Sequence, residues 1–177
     1  MWTVVVETVR QEFADVPDVE QLTRLLLRLG LAMLLGAAIG YERESRDSSA
    51  GLRTHMLVAL GTALFILVPL QAGMDAEAMS RVIQGLLAGI GFLGAGTVIK
   101  QSDSGKVRGL TTAAGIWTTA AIGMTVGLGR ETTAVISTVL VIMILSLLLR
   151  LERRVARRQE ERGEISPGER QERERDS

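Results

Sequence analysis

Polar side chains that could bind a cation collect where long apolar stretches begin and end. Glu42 and Glu44 follow the first stretch, and an arginine, a threonine and a histidine open the next one. Two threonines open a later stretch in the same way. Carboxylate and hydroxyl oxygens suit Mg²⁺, which keeps several waters and needs only one or two carboxylates. The candidate functional cluster, with Glu42 and Glu44 as its metal ligands, comprises Glu42, Arg43, Glu44, Arg53, Thr54, His55, Thr111 and Thr112.

A structural interpretation of the same cluster stays open. Glu42 and Glu44 can instead pair with nearby arginines, and the threonines can cap helices without any ligand. The surplus of arginines also repels a cation unless these arginines are already paired. His55 is expected to be an anchor at the membrane interface rather than a ligand. The Glu42→Gln substitution separates the two interpretations, because it removes function without unfolding the protein only if the cluster is a functional site.

The composition excludes several classes of site. The 177 residues include no cysteine and one histidine, which rules out thiol catalysis, zinc–thiolate sites and histidine clusters. The net charge of zero gives no general attraction to nucleic acid, so none is expected as a partner. No nucleophile–base pair can be assembled, so the protein is not expected to be an enzyme. The acidic first residues, 1–18, lack the basic segment of a cleaved signal peptide.

Five apolar stretches must position the cluster. Each is long enough to cross a bilayer, which takes roughly 17–25 residues per helix. The last four carry no charge except at their ends, and their length distinguishes them from ordinary buried helices. The sequence therefore predicts an all-α polytopic membrane protein with the spans Leu22–Tyr41, His55–Met74, Val82–Ile99, Leu110–Leu128 and Thr132–Leu149.

The first span is the weakest of the five because it carries Arg24 and Arg28. These residues lie one turn apart near its start, where long side chains can reach the headgroups. An amphipathic helix lying on the membrane surface is the alternative. The apolar run 29–39 favours the span.

Lysine and arginine are distributed unevenly between the two sides of the predicted spans. Three lie in the loop 42–54, three in the loop 100–109 and six just after the last span, which makes twelve. Apart from Arg24 and Arg28 within the first span, the opposite side has three, Arg10, Arg81 and Arg130. By the positive-inside rule, this bias predicts an outside N-terminus and a cytoplasmic C-terminus. Five spans require the termini to lie on opposite sides, in agreement with the charges.

Glycine is concentrated in the membrane part, with 17 of the 19 glycines between Gly30 and Gly129. Small residues four apart let helix backbones approach closely. We therefore expect the first four spans to form a tight bundle and the glycine-free fifth span to face lipid. The residues assigned to helix packing are Gly36, Gly40, Gly85, Gly89, Gly91, Gly94, Gly96 and Trp117.

The last 28 residues are charged rather than apolar, with nine arginines and eight acids from Arg150 to Ser177. The start of this tail can continue the last helix through i,i+4 pairs. The residues 166–168 break that helix, and the end is expected to be disordered. The chain thus divides into an extracytoplasmic segment (1–21), a transmembrane domain (22–150) and a charged, partly disordered cytoplasmic tail (151–177).

Four ordered motifs resemble the MgtC/SapB family over about residues 22–150. They are Gly40-Tyr-Glu-Arg-Glu44, Ala50-Gly-Leu-Arg-Thr-His55, Gly89-Ile-Gly-Phe-Leu-Gly-Ala-Gly96, and Val107-Arg-Gly-Leu-Thr-Thr-Ala-Ala114 with Trp117. The resemblance implies a multi-pass protein of the bacterial inner membrane with about five spans, associated with adaptation to low Mg²⁺. Some members of the family are thought to regulate a membrane ATPase rather than move ions.

The resemblance implies a role in Mg²⁺ homeostasis, as a transport-associated or regulatory protein. The expected partners are the lipid bilayer, a second copy of the chain, and a membrane ATPase or transporter; Mg²⁺ is the one candidate ligand. A Mg²⁺ channel or carrier and a structural membrane adaptor are the alternatives. The lack of a mid-membrane acidic residue in the sequence favours the regulator and the adaptor.

The sequence departs from the family in two ways. Many members carry a soluble C-terminal domain where this sequence has only the Arg/Glu tail, so regulation through that domain is expected to be absent. Some members also have Asn and Cys where this sequence has Thr111 and Thr118.

Overall fold

A computed structural model describes residues 1–14, 18–46, 48–100 and 107–163, with side chains described in 1–14, 18–46, 48–98 and 107–147. Two short strands, β1 (Ile99–Lys100) and β2 (Val107–Arg108), pair antiparallel. The rest of the regular structure is helical, as predicted. The predicted helix break at 166–168 and the disordered end lie outside the described residues. The helices are α1 (Trp2–Glu12), α2 (Val19–Glu44), α3 (Leu52–Gln71), α4 (Ala76–Ala95), α5 (Leu110–Gly127) and α6 (Glu131–Gly163).

Each predicted span coincides with a helix over most of its length, but the helix ends differ from the prediction. α2 begins at Val19 because the Asp18 carboxylate accepts a hydrogen bond from the Gln21 N–H at 2.7 Å. α4 begins at Ala76 because Asp75 caps it in the same way through the Ala78 N–H, at 2.8 Å. Hydropathy marks the apolar middle of a helix, whereas capping residues fix its ends.

Three of the helices, α2, α3 and α4, are long and apolar enough to cross a membrane. Helix α6 offers a shorter apolar stretch, Glu131–Leu147. Helix α5 is the most enclosed, since ten of its 18 residues are buried and it packs against α2, α3, α4 and α6. The core of the bundle therefore surrounds α5.

Glycines bring the backbones of α2, α3 and α5 into direct contact. A Cβ added at Gly36 of α2 would lie 2.6 Å from the carbonyl oxygen of His55 in α3. A Cβ at Gly40 would lie 2.7 Å from the Cα of Leu52. On the other side of α3, a Cβ at Gly127 of α5 would lie 2.8 Å from the carbonyl oxygen of Ala63. Only glycine allows these separations, so the packing predicted for Gly36 and Gly40 has a direct geometric cause.

The arginines of the first span have carboxylate partners. Arg24 pairs with Glu20 one turn earlier on the helix surface. Arg28 reaches across the bundle, where its Nε lies 3.3 Å from Oε1 of Glu131 and its Nη1 lies 3.4 Å from the carbonyl oxygen of Gly127. A guanidinium at the C-terminal end of α5 also opposes the negative end of the helix dipole. Arg28 therefore joins α2 to the α5–α6 turn.

Helix α4 differs from the expectation of uniformly tight packing. A Cβ at Gly85, Gly89 or Gly91 would meet nothing within 4 Å. An apolar groove of about 630 Å³, lined in part by Gly85 and Gly89, lies between α3 and α4. Gly94 makes ordinary contact, because its added Cβ would lie 3.6 Å from the Cβ of Ala113. The glycines of α4 thus face a groove or the bundle surface, with Gly94 the exception.

Two further residues assigned to helix packing, Gly96 and Trp117, are exposed. The Cβ of a residue at position 96 would approach only the preceding turn, at 3.3 Å from the carbonyl oxygen of Leu93. Trp117 is 52% exposed instead of packing into the interior. It lies on the same side of α5 as the exposed Ala114 and Leu110, while the buried residues occupy the other side. The packing roles of Gly96 and Trp117 therefore stay predictions.

The glycine contacts predict opposite effects for two alanine substitutions. Gly36→Ala is expected to lower the free energy of unfolding by about 1–3 kcal/mol, because the added methyl meets backbone that cannot move aside. Gly85→Ala has open space and a better helix former, so it is expected to raise stability by up to about 1 kcal/mol. Thermal unfolding of the purified protein in detergent measures both. Equal losses of stability for the two variants would contradict the finding that Gly36 makes a close backbone contact and Gly85 does not.

Candidate functional site

Arg43 is a buried guanidinium that joins three parts of the chain. Its side chain belongs to the last turn of α2 and is 7% exposed. Its Nη2 donates hydrogen bonds to Oγ of Ser48 at 2.8 Å and to Oγ1 of Thr112 at 2.9 Å. The two hydroxyl oxygens are 3.1 Å apart. Arg43 thereby connects α2 with the following loop and with the first turn of α5.

Glu42 does not join the hydrogen bonds of Arg43, and its carboxylate accepts hydrogen bonds from two other side chains. Its Oε1 pairs with Arg46, one turn later, and accepts a hydrogen bond from Oγ of Ser146 at 2.9 Å. Its side chain is only 18% exposed. The Glu42–Arg46 ion pair is one of the pairs that the structural interpretation expects. The hydrogen bond from Ser146 also connects Glu42 to α6.

Glu44 caps a helix across the loop. Its Oε2 accepts a hydrogen bond from the Leu52 N–H at 2.7 Å. The N-cap residue of α3, Gly51, has no side chain to do this itself. A carboxylate at a helix N-terminus satisfies a free N–H and matches the positive end of the helix dipole. This cap explains why α3 starts at Leu52, before the predicted span.

His55 is a core residue and not an interfacial anchor as expected. Its side chain is fully buried, and its Nδ1 lies 2.7 Å from Oγ1 of Thr119 in α5. Gly115 makes room for the ring, because an added Cβ there would lie 3.4 Å from Cε1 of His55. A histidine one turn inside a helix can be drawn inward when the facing helix offers a glycine and a hydroxyl. Periodicity alone does not reveal this.

The predicted cluster thus separates into a buried network and an exposed rim. Arg43, His55 and Thr112 are buried, and each bonds to a side chain of another helix or loop. Arg53, Thr54 and Thr111 are exposed, so they form the rim. The single predicted cluster therefore contains buried side chains, exposed side chains, and the carboxylates Glu42 and Glu44 with the partners described above.

Three hydroxyl residues that bond to members of the predicted cluster, Ser48, Thr119 and Ser146, were missed by the sequence reasoning. Thr119 follows Thr112 by two helical turns, so a search for buried hydroxyls on one face of α5 could have found it. Ser146 stands out as a polar residue within the apolar run of α6. Ser48 lies in a loop and carries no signal of its own, since its role depends on how the loop returns to α5.

In the structure, the two carboxylates of the predicted Mg²⁺ site have hydrogen-bond and ion-pair partners of their own. The ion takes its oxygen ligands in a near-octahedral arrangement, with one or two carboxylates and several waters. Oxygens of Glu42 and Glu44 already accept hydrogen bonds, from Arg46 and Ser146 and from the Leu52 N–H respectively. Within the described residues, no three Asp, Glu or His side chains come close enough to hold a metal ion. A ligand role for Glu42 and Glu44 therefore stays a prediction without geometric support.

The network predicts a contrast between two neighbouring threonines. Thr112→Val is expected to lower the free energy of unfolding by about 1–3 kcal/mol, because the buried Arg43 loses an acceptor. Thr111→Val, at an exposed position, is expected to change it by less than about 0.5 kcal/mol. Thermal unfolding in detergent distinguishes the two. The pair is tested directly by comparing the free energy of unfolding of the double variant Arg43→Met, Thr112→Val with those of the two single variants. Additive losses would show that the two side chains are not coupled.

Comparison with known proteins identifies the family. Residues 29–154 match the MgtC family. The protein SrpB of Synechococcus elongatus is 46% identical over 140 residues, which cover 73% of this chain and 77% of SrpB. The protein MgtC of Salmonella typhimurium is 45% identical over 125 residues, which cover 71% of this chain and 52% of MgtC. The putative magnesium transporter YhiD of Escherichia coli K12 is 38% identical over 133 residues, which cover 71% of this chain and 61% of YhiD.

The chain therefore spans about half the length of MgtC and less than two thirds of YhiD. No solved structure matches it. The matched range contains the whole candidate cluster and begins within α2, so it leaves out α1. Family match, relatives and apolar helices agree on a membrane protein. From the extent of the match and the identities to these relatives, the chain belongs to the MgtC family.

Proposed function

We propose that the protein acts in Mg²⁺ homeostasis, as a transport-associated or regulatory protein of the bacterial inner membrane. The family match and the naming of the relative YhiD as a putative magnesium transporter support the connection with Mg²⁺. The relatives MgtC and YhiD are longer than this chain, so their whole-protein activities enter here only as support for the proposal.

One observation favours a regulator over a carrier: the chemistry of the buried polar groups. Among the described residues, these groups are one arginine, one histidine and four threonines, and none is a carboxylate. Carriers of cations usually place acidic residues inside the membrane, where they compensate the charge of the ion. A buried Arg43 does the opposite, because it raises the cost of bringing a divalent cation near it. The buried list consists of Arg43, His55, Thr62, Thr112, Thr119 and Thr138.

The exposed rim offers the surface by which such a regulator could contact a partner. Arg53, Thr54 and Thr111 lie at the starts of α3 and α5 and are open to solvent or headgroups. The buried hydrogen bond between Arg43 and Thr112 joins α2 to the first turn of α5, next to Thr111 of this rim. A partner that binds the rim would therefore meet a preorganised surface, which lowers the entropic cost of binding.

The proposal includes five spans with the N-terminus outside. Helices α2, α3 and α4 meet the length and composition of spans, and short turns at residues 72–75 and 128–130 connect α3 to α4 and α5 to α6. Short turns make successive helices antiparallel. The excess of lysine and arginine on one side of the predicted spans gives the direction. The rim then faces the cytoplasm.

Single cysteines test this topology, since the sequence contains none. In intact cells, a membrane-impermeant maleimide is expected to label Met74→Cys, in the α3–α4 turn. Ser49→Cys, in the α2–α3 loop, is expected to react only after the membrane is permeabilised. The reverse pattern would invert the orientation. Labelling of both positions from the same side would show that α3 does not cross the membrane.

Mg²⁺ flux into liposomes that contain the purified protein tests the proposed mechanism. A regulator is expected to give flux no greater than that of empty liposomes, although the protein is folded and correctly oriented. Saturable flux that Glu42→Gln abolishes, while the variant keeps its thermal stability, would establish a carrier and refute the regulatory proposal.

The role of the rim is tested by growth at low Mg²⁺ of a bacterial strain that lacks its own member of the family and carries this protein instead. Arg53→Ala is expected to abolish the growth support given by the unmodified chain, with no change in thermal stability. Arg81→Ala is the matched control. Arg81 is also an exposed arginine, but it lies near the start of α4, on the opposite side of the predicted spans from Arg53. Full growth with Arg53→Ala would remove the rim as the partner surface.

A further inference from the structure

Helix α1 is amphipathic and has no buried residue. Its apolar side chains Trp2, Val5, Val6 and Val9 are spaced i, i+3, i+4 and i+7, and Phe13 continues the same face one turn further on. They form one face of the helix, and all are between 48% and 82% exposed. The charged residues Glu7, Arg10 and Glu12 lie off that face. The helix therefore presents a continuous apolar face that no described residue covers.

Such a helix requires a partner outside the described chain. Isolated helices shorter than about 12–15 residues are marginal in water, even with good helix formers. α1 has 11 residues, and six of them are the β-branched valine or threonine, which favour helices weakly. Burial of the apolar face is the usual source of helix stability in such a sequence, so the helix depends on whatever covers that face.

The position of α1 in the chain keeps this face close to the membrane. Helix α2, a candidate span, begins at Val19, seven residues after the end of α1 at Glu12. At roughly 3.5 Å per residue, even an extended connection holds the end of α1 within about 25 Å of the start of α2. The apolar surface of α2 also continues to this end, since Leu22, Leu26 and Leu27 are exposed.

We propose that α1 lies in the plane of the bilayer interface, at the leaflet where α2 begins, with its apolar face in the acyl boundary of the lipids. Interfacial helices bury such a face about 5–10 Å deep and keep their charges in water. Trp2 and Phe13 lie at the two ends of the face, and aromatic rings favour the headgroup level. The charged residues of α1, two acids and one arginine, give no attraction to anionic lipid, so apolar burial drives the binding.

This inference is independent of the proposed role in Mg²⁺ homeostasis, and it concerns residues that the family match leaves out. A second copy of the chain is the competing occupant of the face. The experiment therefore has to distinguish lipid from protein.

Nitroxide scanning of the full chain in liposomes makes this distinction. Because the sequence has no cysteine, single cysteines can be placed at Val9 on the apolar face and at Gln11 on the polar face. The label at position 9 is expected to be accessible to oxygen and protected from a water-soluble nickel chelate, and the label at position 11 to show the reverse. Nickel access at both positions would overturn the proposal. Protection of position 9 from both reagents, with spin–spin broadening, would assign the face to a second copy.

Quenching of Trp2 by brominated phosphatidylcholine gives a second, independent readout in a Trp117→Phe background, which leaves Trp2 as the only tryptophan. Val9→Asp places a charge on the apolar face and is expected to reduce the quenching at least twofold. Val4→Asp is the matched control, because Val4 lies among the polar residues and its replacement is expected to leave the quenching unchanged. Addition of anionic lipid is expected to have no effect. Equal quenching in the Val9 and Val4 variants would overturn the proposal.

Discussion

The direct contact of helix backbones at glycine is the constraint on which the structure depends. α3 lies between α2 and α5, and its carbonyl groups touch positions where a side chain cannot be accommodated, Gly36 on one side and Gly127 on the other. In a bilayer, helices gain little from hydrophobic burial against each other, so close van der Waals packing and interhelical hydrogen bonds hold them together. The register of three helices therefore follows from a few residues that lack a side chain.

That register determines which polar groups are buried and what they bond to. When α3 and α5 approach at glycine, His55 meets Thr119, and the end of α2 brings Arg43 to Thr112. These hydrogen bonds offset part of the cost of burying the two side chains, while Nε of Arg43 and Nε2 of His55 have no hydrogen-bond partner among the described residues. The hydrogen bonds thus make the close packing specific, because a helix shifted by one residue would separate every pair.

Much of this could be predicted from the sequence, and the rest depends on tertiary contacts. Apolar length predicts α2, α3 and α4 well, because a bilayer-sized helix has a signature in composition alone. Helices α2 and α4 begin several residues before the predicted spans, since the capping residues Asp18 and Asp75 lie outside the apolar runs that were counted. Arg43, His55 and Thr112 of the candidate cluster make buried hydrogen bonds, and the functional role predicted for the cluster stays a prediction. The division of the cluster into buried and exposed groups was not visible, because it depends on which face of α5 meets α3.

The open face of α4 differs from the close contacts within the α2–α3–α5 unit. In that unit, a Cβ added at Gly36, Gly40 or Gly127 would overlap the backbone of a neighbouring helix. α4, by contrast, buries only Met79, Ile90 and Gly94 and turns Gly85 and Gly89 toward a groove. The groove beside Gly85 and Gly89 is therefore the place where a side chain can be added, or another apolar surface can pack, without displacing backbone, whereas Gly36 and Gly127 allow neither.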